Sequence, residues 1–320
     1  MPEVKNIIFI MGESESAKHL QMFGYERDTA PFLNALQNRK KALVREASSA
    51  AFMTAVSLPS IFNAIPGPNG LDLINKGNTN LFRLAKNQGF KTYWLTAQPE
   101  NEMNIIAIIG KRWLDVVTYP TNFGFKSHEI MHDNRLASQL ETIELDKGNN
   151  FIVLHQRGSH SPYGSVLKPE EEIYGSKRNI DRYDNTIRVT DELIKSVYTF
   201  LQKRGKDDWI LIYTSDHGQL VHENIANQGT YVTDNYLVPL MIASSNKDIE
   251  KKINADFSQC PNTSHFQLSS FLIRLIGYDF TMPDCYPTIV NGNLLTGDSG
   301  WLEIKEKKSR WVYPDQKENK

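Results

Sequence analysis

Short, unbroken apolar runs recur along this chain and alternate with longer stretches whose apolar residues fall at helical spacing. Residues 5–11, 91–96, 150–155, 208–212 and 237–242 are such runs, rich in β-branched and aromatic side chains, and each predicts a buried strand. Helices are predicted between them at 79–87, 136–145, 181–202 and 265–276, the third carrying Ile187, Leu193, Ile194, Val197 and Leu201 on one face. Asp28 or Thr29 is placed to cap a further helix through Leu36, with Pro31 in its first turn. Pro59 fits the first turn of a helix starting near Val56, which puts Thr54 at or just before a helix N-terminus. The charged, Pro-containing stretch 301–320 reads as a loose tail. Strands alternating with helices predict an α/β fold, a three-layer α/β/α sandwich around a mainly parallel sheet.

In such a sheet the loops at the carboxyl ends of the strands gather in one crevice. Ser215-Asp216-His217-Gly218 follows one strand, Gly12-Glu13-Ser14 another, Gln98 a third, and Gly158-Ser159-His160 a fourth. Asp and His side by side are good ligands for a borderline cation such as zinc, and Glu13 adds a second carboxylate. Thr54 begins a helix whose free N–H groups and dipole favour a bound phosphate. Each residue has a bland alternative: Asp216 as a cap, Glu13 as a solvated loop charge, Thr54 as an ordinary N-cap, His160 as a surface histidine. Six polar groups at one sheet edge outweigh those separate readings.

Composition narrows the class. A length of 320 residues allows one large α/β domain or two ordinary ones, and 40% hydrophobic with 23% charged residues suits a globular core. The net charge of -1 argues against nucleic acid as a partner. No apolar run approaches a membrane span; the best, residues 6–11, is strand-length. The first strand begins almost at Met1, which reads as a cytosolic protein or as the excised soluble part of something longer. Cys260 and Cys285 bracket the predicted helix at 265–276 and allow either one local disulfide or two free thiols.

Taken together, five ordered motifs resemble the bacterial phosphoethanolamine transferases of the alkaline phosphatase and sulfatase superfamily. They are Gly12-Glu13-Ser14 with His19 and the stretch 24–31, Thr54-Ala55-Val56-Ser57-Leu58-Pro59, His155-Gln156-Arg157-Gly158-Ser159-His160, Tyr183-Asp184-Asn185, and Ser215-Asp216-His217-Gly218. The resemblance reaches to about Ile276. It implies an alkaline phosphatase-like fold and one tight zinc held by Glu13, Thr54, Asp216 and His217, with Thr54 becoming phosphorylated and His160 on the substrate side. It further implies phosphatidylethanolamine as donor, a lipopolysaccharide acceptor (lipid A or a core sugar), and a position at the periplasmic face of the inner membrane. On that reading residues 1–320 are a single soluble catalytic domain excised from a protein with an N-terminal membrane domain, and an oxidising compartment favours the Cys260–Cys285 bond.

The chain departs from the family at several places. Ser16 stands where an Arg is common, and Ala50-Ala51-Phe52-Met53 replaces a Cys-Gly-Thr-Ser, so the disulfide that anchors that loop in relatives has no counterpart. Gln228 stands for a second substrate-side His, His222 lying too early, and any second metal is therefore expected to be weak because an amide is a poor zinc ligand. A lysine found in some relatives after the Trp94 strand is missing, and Gln98 is expected to serve there. The alternatives are a phosphoglycerol transferase, a phosphatase or phosphodiesterase of the same superfamily, or a binding module that has lost turnover.

Overall fold

Every apolar run singled out above becomes a strand in the computed structural model, which describes residues 1–204, 208–223, 225–306 and 308–314. The strands are β1 (Asn6–Gly12), β2 (Leu43–Ser48), β3 (Phe90–Thr96), β4 (Val116–Thr118), β5 (Asn149–His155), β6 (Trp209–Ser215), β7 (Leu220–Val221), β8 (Ala226–Asn227), β9 (Leu237–Ser244) and β10 (Thr263–Ser264). Three more follow: β11 (Thr288–Asn291), β12 (Trp301–Lys305) and β13 (Lys308–Val312). Eight form one sheet in the order β10-β2-β9-β6-β1-β5-β3-β4. Only β9 runs against the others, pairing antiparallel with β6 and β2. A mainly parallel sheet between two helical layers is the architecture expected from the pattern.

Strand β1 shows why both faces must be covered. Ile7, Phe9 and Met11 point into one core, and Ile8 and Ile10 into the other. With both faces apolar, the strand is stable only between two helical layers. The helices are α1 (Pro31–Asn38), α2 (Thr54–Phe62), α3 (Leu71–Lys76), α4 (Leu81–Asn87), α5 (Ile106–Ile109), α6 (Asn134–Glu141), α7 (Asn179–Lys203), α8 (Thr233–Tyr236), α9 (Lys247–Ser258) and α10 (His265–Ile276). Side chains of α2, α4, α5, α9 and α10 fill the first core, and those of α1, α6 and α7 the second. Among the described residues, no helix is long and apolar enough to cross a membrane.

Three expectations need correction. Pro59 lies inside α2, which starts at Thr54, and not in the first turn of a helix beginning near Val56. Helix α1 is capped by neither Asp28 nor Thr29: its N-cap is Ala30, and Asp191 of α7 accepts from the N–H groups of Phe32 and Leu33 at 2.8 and 2.9 Å. A carboxylate from a neighbouring helix therefore does the work of a local cap, while the Thr29 hydroxyl donates to the His19 carbonyl. The stretch from 301 is also no loose tail as far as Val312. Strands β12 and β13 pair as a hairpin and join β11 in a three-stranded antiparallel sheet. Leu302 and Ile304 alternate inward against Phe52, Tyr236 and Val290, while Lys305 and Arg310 pair with Glu303 on the other side. The charges that gave a tail-like composition are the solvent half of a period-two pattern. The remainder of that predicted tail, residues 315–320, lies outside the described residues.

Cys260, just after α9, and Cys285, before β11, form a disulfide across a sequence separation of 25. Closing a loop of that length removes unfolded-chain entropy worth about 3 kcal/mol. The Cys285→Ser variant should lose roughly that much unfolding free energy in urea titrations. Reductant should then lower the wild-type stability by a similar amount and leave the variant unmoved.

Candidate active site

Strands β1 and β6 are paired in register, Gly12 opposite Ser215, so the next residue of each, Glu13 and Asp216, emerge side by side at the carboxyl edge. Gly12 is required there: a Cβ would meet the Tyr213 ring and the Thr214 carbonyl at 3.0–3.2 Å. The loop that leaves β2 at the same edge leads into α2, and Thr54 is the first residue of that helix. Met53 is the N-cap and offers no side-chain acceptor, so Thr54 is not spent on capping. Its hydroxyl instead lies 3.1 and 3.2 Å from the two Glu13 oxygens and 3.2 Å from His217 Nε2. Strand ends and a helix start thus bring together the four residues singled out in the sequence.

The hydrogen bonds around this group set which atoms face inward. His217 Nδ1 lies 2.7 Å from the Gly218 carbonyl, which can only accept; Nδ1 therefore carries the proton and Nε2 presents a lone pair. Asp216 Oδ1 accepts from the N–H groups of Ser14 and His217 at 3.1 and 2.8 Å. Its Oδ2 is buried and has no hydrogen-bond partner among the described residues. Glu13 Oε1 accepts from the Ser14 hydroxyl at 2.7 Å. Burial, and then the Glu13 charge, push the Asp216 carboxyl up to about 6. Burial works against the charged form of His217, but Asp216 and Glu13 outweigh it and leave its pKa raised. One ligand atom from each of Glu13, Asp216 and His217 lies within 4.8 Å of the other two. Two carboxylates, one imidazole and a hydroxyl, with an orphaned buried oxygen among them, fit a zinc-sized cation.

The loop after β5 closes one side of the site. Gly158 has φ +54°, and a Cβ there would strike the Glu13 backbone at 2.9–3.0 Å. Ser159 N–H donates to the Glu13 carbonyl at 2.9 Å, and Asp133 accepts from the Arg157 and Gly158 amides at 2.7 and 2.9 Å. His160 follows, partly buried, its Nδ1 hydrogen-bonded to the Ser161 carbonyl. Burial and the nearby Arg157 charge hold its pKa below the ordinary value. Gln98 is buried with both amide atoms engaged, donating to the Gln156 carbonyl and accepting from Arg157, each at 2.8 Å. Gln228 sits exposed on the loop beyond β8.

Several residues with a part in this arrangement show that part only in the folded chain. His265, at the start of α10, accepts from the Ala50 N–H at 3.0 Å and lies 3.1 Å from Thr214 Oγ1, tying α10 to the segment before Thr54. Burial holds it neutral, with its pKa near 3. Arg157 is buried and reaches Glu102 at 2.7 Å. Asp184 gathers His19, Tyr25 and Arg27 at 2.7–2.8 Å beneath the loop after β1. The pairing of His19 with Asp184 was visible only as two motifs far apart in the chain.

Comparison with known proteins places this arrangement among relatives. The sequence profile of the sulfatase family matches residues 5–278. YhbX of Escherichia coli strain K12, provisionally named a transferase, is 30% identical over 218 residues, 67% of this chain and 38% of its own. The Kdo(2)-lipid A phosphoethanolamine 7''-transferase of the same organism is 26% identical over 306 residues, 87% of this chain and 52% of its own. The curated relatives compared are longer, the chain covering between 38% and 54% of their length. Among solved structures, the C-terminal periplasmic domain of Escherichia coli EptC, a complex with zinc, superposes with a TM-score of 0.74 at 18% identity. That match covers 98% of this chain and 95% of the other, and it supports the fold.

Glu15, two residues beyond Glu13, is fully buried beneath the site, and burial pushes its carboxyl from 4.5 up to about 8. In the unfolded chain it ionises at the ordinary value, so its contribution to stability is complete below about pH 4.5 and is lost as pH rises towards 8. Across that window each pH step costs about 1.4 kcal/mol from this group. Glu15→Gln should flatten the fall and raise the urea midpoint of metal-free protein at pH 8, with little change at pH 4.5. Equal losses in both proteins would mean that Glu15 is ionised in the folded state.

Proposed function

The chain belongs to the sulfatase family, and we propose that it is the catalytic part of a longer phosphoethanolamine transferase that works through a covalent intermediate on Thr54. What carries this reading is the Thr54 hydroxyl: it opens a helix, caps nothing, and faces both oxygens of the Glu13 carboxylate and the His217 imidazole within 3.2 Å. Glu13, Asp216, His217 and Thr54 itself would hold one zinc, whose charge would lower the hydroxyl pKa and offset the developing negative charge on oxygen. Thr54 Oγ1 would attack the phosphorus of phosphatidylethanolamine, forming a phosphorus–oxygen bond as the bond to the diacylglycerol oxygen breaks. The start of α2 would offer its free N–H groups to the transferred phosphoryl group, and His160, on the loop that packs against Glu13, would lend a neutral imidazole to its oxygens. A hydroxyl or phosphate oxygen of the acceptor would then displace Thr54.

A lipopolysaccharide acceptor is proposed because a relative over 87% of this chain is named for transfer to Kdo(2)-lipid A. A periplasmic position, beside a membrane domain outside this chain, is supported by the Cys260–Cys285 bond, which suits an oxidising compartment. Gln98 and Gln228 were both expected on the substrate side. The Gln98 amide is committed to Arg157 and Gln156, which suits a supporting part, whereas Gln228 is exposed and would meet the acceptor only if its loop lies on the substrate path.

Intact-mass measurement after incubation with phosphatidylethanolamine tests the reading. Wild type should gain a phosphoethanolamine adduct, Thr54→Ala should gain none at equal zinc occupancy, and Thr54→Ser should retain part of it. A phosphoglycerol adduct from phosphatidylglycerol alone would move the activity to a neighbouring class, and unimpaired turnover in Thr54→Ala would end the nucleophile assignment.

A further inference from the structure

Ser14 donates a hydrogen bond to each of the two acids of the site. It is not glycine, yet its φ is 59°, a left-handed conformation that side-chain-bearing residues adopt at a cost. In that conformation its N–H donates to Asp216 Oδ1 at 3.1 Å and its hydroxyl donates to Glu13 Oε1 at 2.7 Å. Occupying Oδ1 leaves Oδ2 as the Asp216 oxygen without a partner, and the bond to Oε1 restrains the rotation of the Glu13 carboxylate. One turn residue, with the His217 N–H beside it on Oδ1, therefore helps to orient both carboxylates.

Something must hold Ser14 in its unfavourable conformation, and a single side chain bridges the turn. The Tyr183 hydroxyl donates to the Ser14 carbonyl at 2.7 Å and accepts from the Ser16 N–H at 2.8 Å. Tyr183 projects from α7 and is fully buried, with the His19 and Tyr163 rings edge-on to it at 4.8 and 5.1 Å. Burial raises its phenol well above the ordinary value, so the hydroxyl keeps the proton it donates. Next to it, Asp184 fixes His19, Tyr25 and Arg27, so the same turn of α7 grips the loop after β1 further along.

We propose that Tyr183 is a positioning residue for the metal centre, its hydroxyl holding Ser14 in the conformation that aims Asp216 and Glu13 at one cation. The inference rests on Glu13, Asp216 and His217 being metal ligands. Tyr183 touches neither ligand nor substrate; it acts through Ser14. A tyrosine serving only to fill the core would be replaceable by phenylalanine, because the ring contacts would persist.

Zinc affinity of the full chain, read by competition with a chromophoric chelator, separates the two roles. Tyr183→Phe should raise the zinc Kd about 10–100-fold, the usual effect of removing an outer hydrogen bond to a metal site. Ser14→Ala should weaken zinc binding by a comparable factor. The double variant should bind no more weakly than the worse single one, because both changes break one chain of contacts. Circular dichroism and the thermal midpoint of each metal-free protein monitor the fold. A Tyr183→Phe protein that binds zinc within twofold of wild type overturns the proposal, as do single losses that multiply in the double variant. Absence of zinc binding by wild type itself would instead overturn the ligand assignment, and this inference with it.

Discussion

Two buried carboxylates placed at the ends of adjacent, in-register strands are the constraint around which the domain is built. Parallel neighbours lie about 4.8 Å apart, so residues one step past the Gly12–Ser215 pair cannot avoid each other. Burial first, and the neighbouring Glu13 charge second, raise the Asp216 carboxyl to about 6. The surroundings are arranged to bear both charges. Backbone amides of Ser14 and His217 point at Asp216, the Ser14 hydroxyl at Glu13, and the His217 imidazole lies 3.5 and 3.7 Å from a Glu13 and an Asp216 oxygen. Close approach of three loops then demands small residues: Gly12 against Tyr213, Gly158 against Glu13, and Gly218 against the Asp234 carbonyl.

The Thr54 segment is held from outside the sandwich. Phe52 is fully buried in a third, smaller core with Tyr236, Val290, Leu302 and Ile304. Asn291 of β11 binds the Ala50 carbonyl through both its backbone and its side-chain nitrogen, at 2.8 and 3.0 Å, and His265 takes the Ala50 N–H. From the other direction, the Ser57 hydroxyl donates to the Asp216 carbonyl, locking the first turn of α2 to the strand end. The resembling family often has a disulfide just before its nucleophile, and this chain has Ala50-Ala51-Phe52-Met53 instead. Packing of Phe52 and the hydrogen bonds of Asn291 and His265 supply that anchorage here. The C-terminal sheet is thereby part of the active-site support.

Local pattern made the central strands legible, because both-face burial turns β1, β3, β5, β6 and β9 into continuous apolar runs. The same criterion passed over β2, whose Arg45 and Glu46 break the run, and β12, whose alternation of Leu302 and Ile304 with charges resembled a tail. At the site, Glu13, Thr54, Asp216 and His217 were legible because each abuts a strand or helix boundary that sequence marks well. Asp191 and His265 were not, and Ser14 and Tyr183 stood out only as members of motifs, because their work is done across separations that no local pattern encodes. Asp191 caps a helix 158 residues away and Tyr183 braces a turn 169 residues away. Whether Thr54 caps its helix turned on one residue of helix phase, which places Met53 at the cap.

The charge on the substrate side bears on what the site is fitted to handle. Arg157 is the cation nearest His160, yet its guanidinium is buried and engaged by Gln98, Glu102 and the Ser161 carbonyl. Its field helps to keep His160 neutral, so the imidazole brings hydrogen bonding without charge. Beyond a metal at Glu13, Asp216 and His217, the proposed function leaves the phosphoryl oxygens to the start of α2 and to the neutral His160 imidazole. A phosphate monoester, carrying close to two negative charges, is poorly compensated by such a set. A phosphodiester carries only one, and the ammonium of an ethanolamine headgroup balances it within the substrate. Under the function proposed above, that charge balance suits a zwitterionic diester donor better than a monoester.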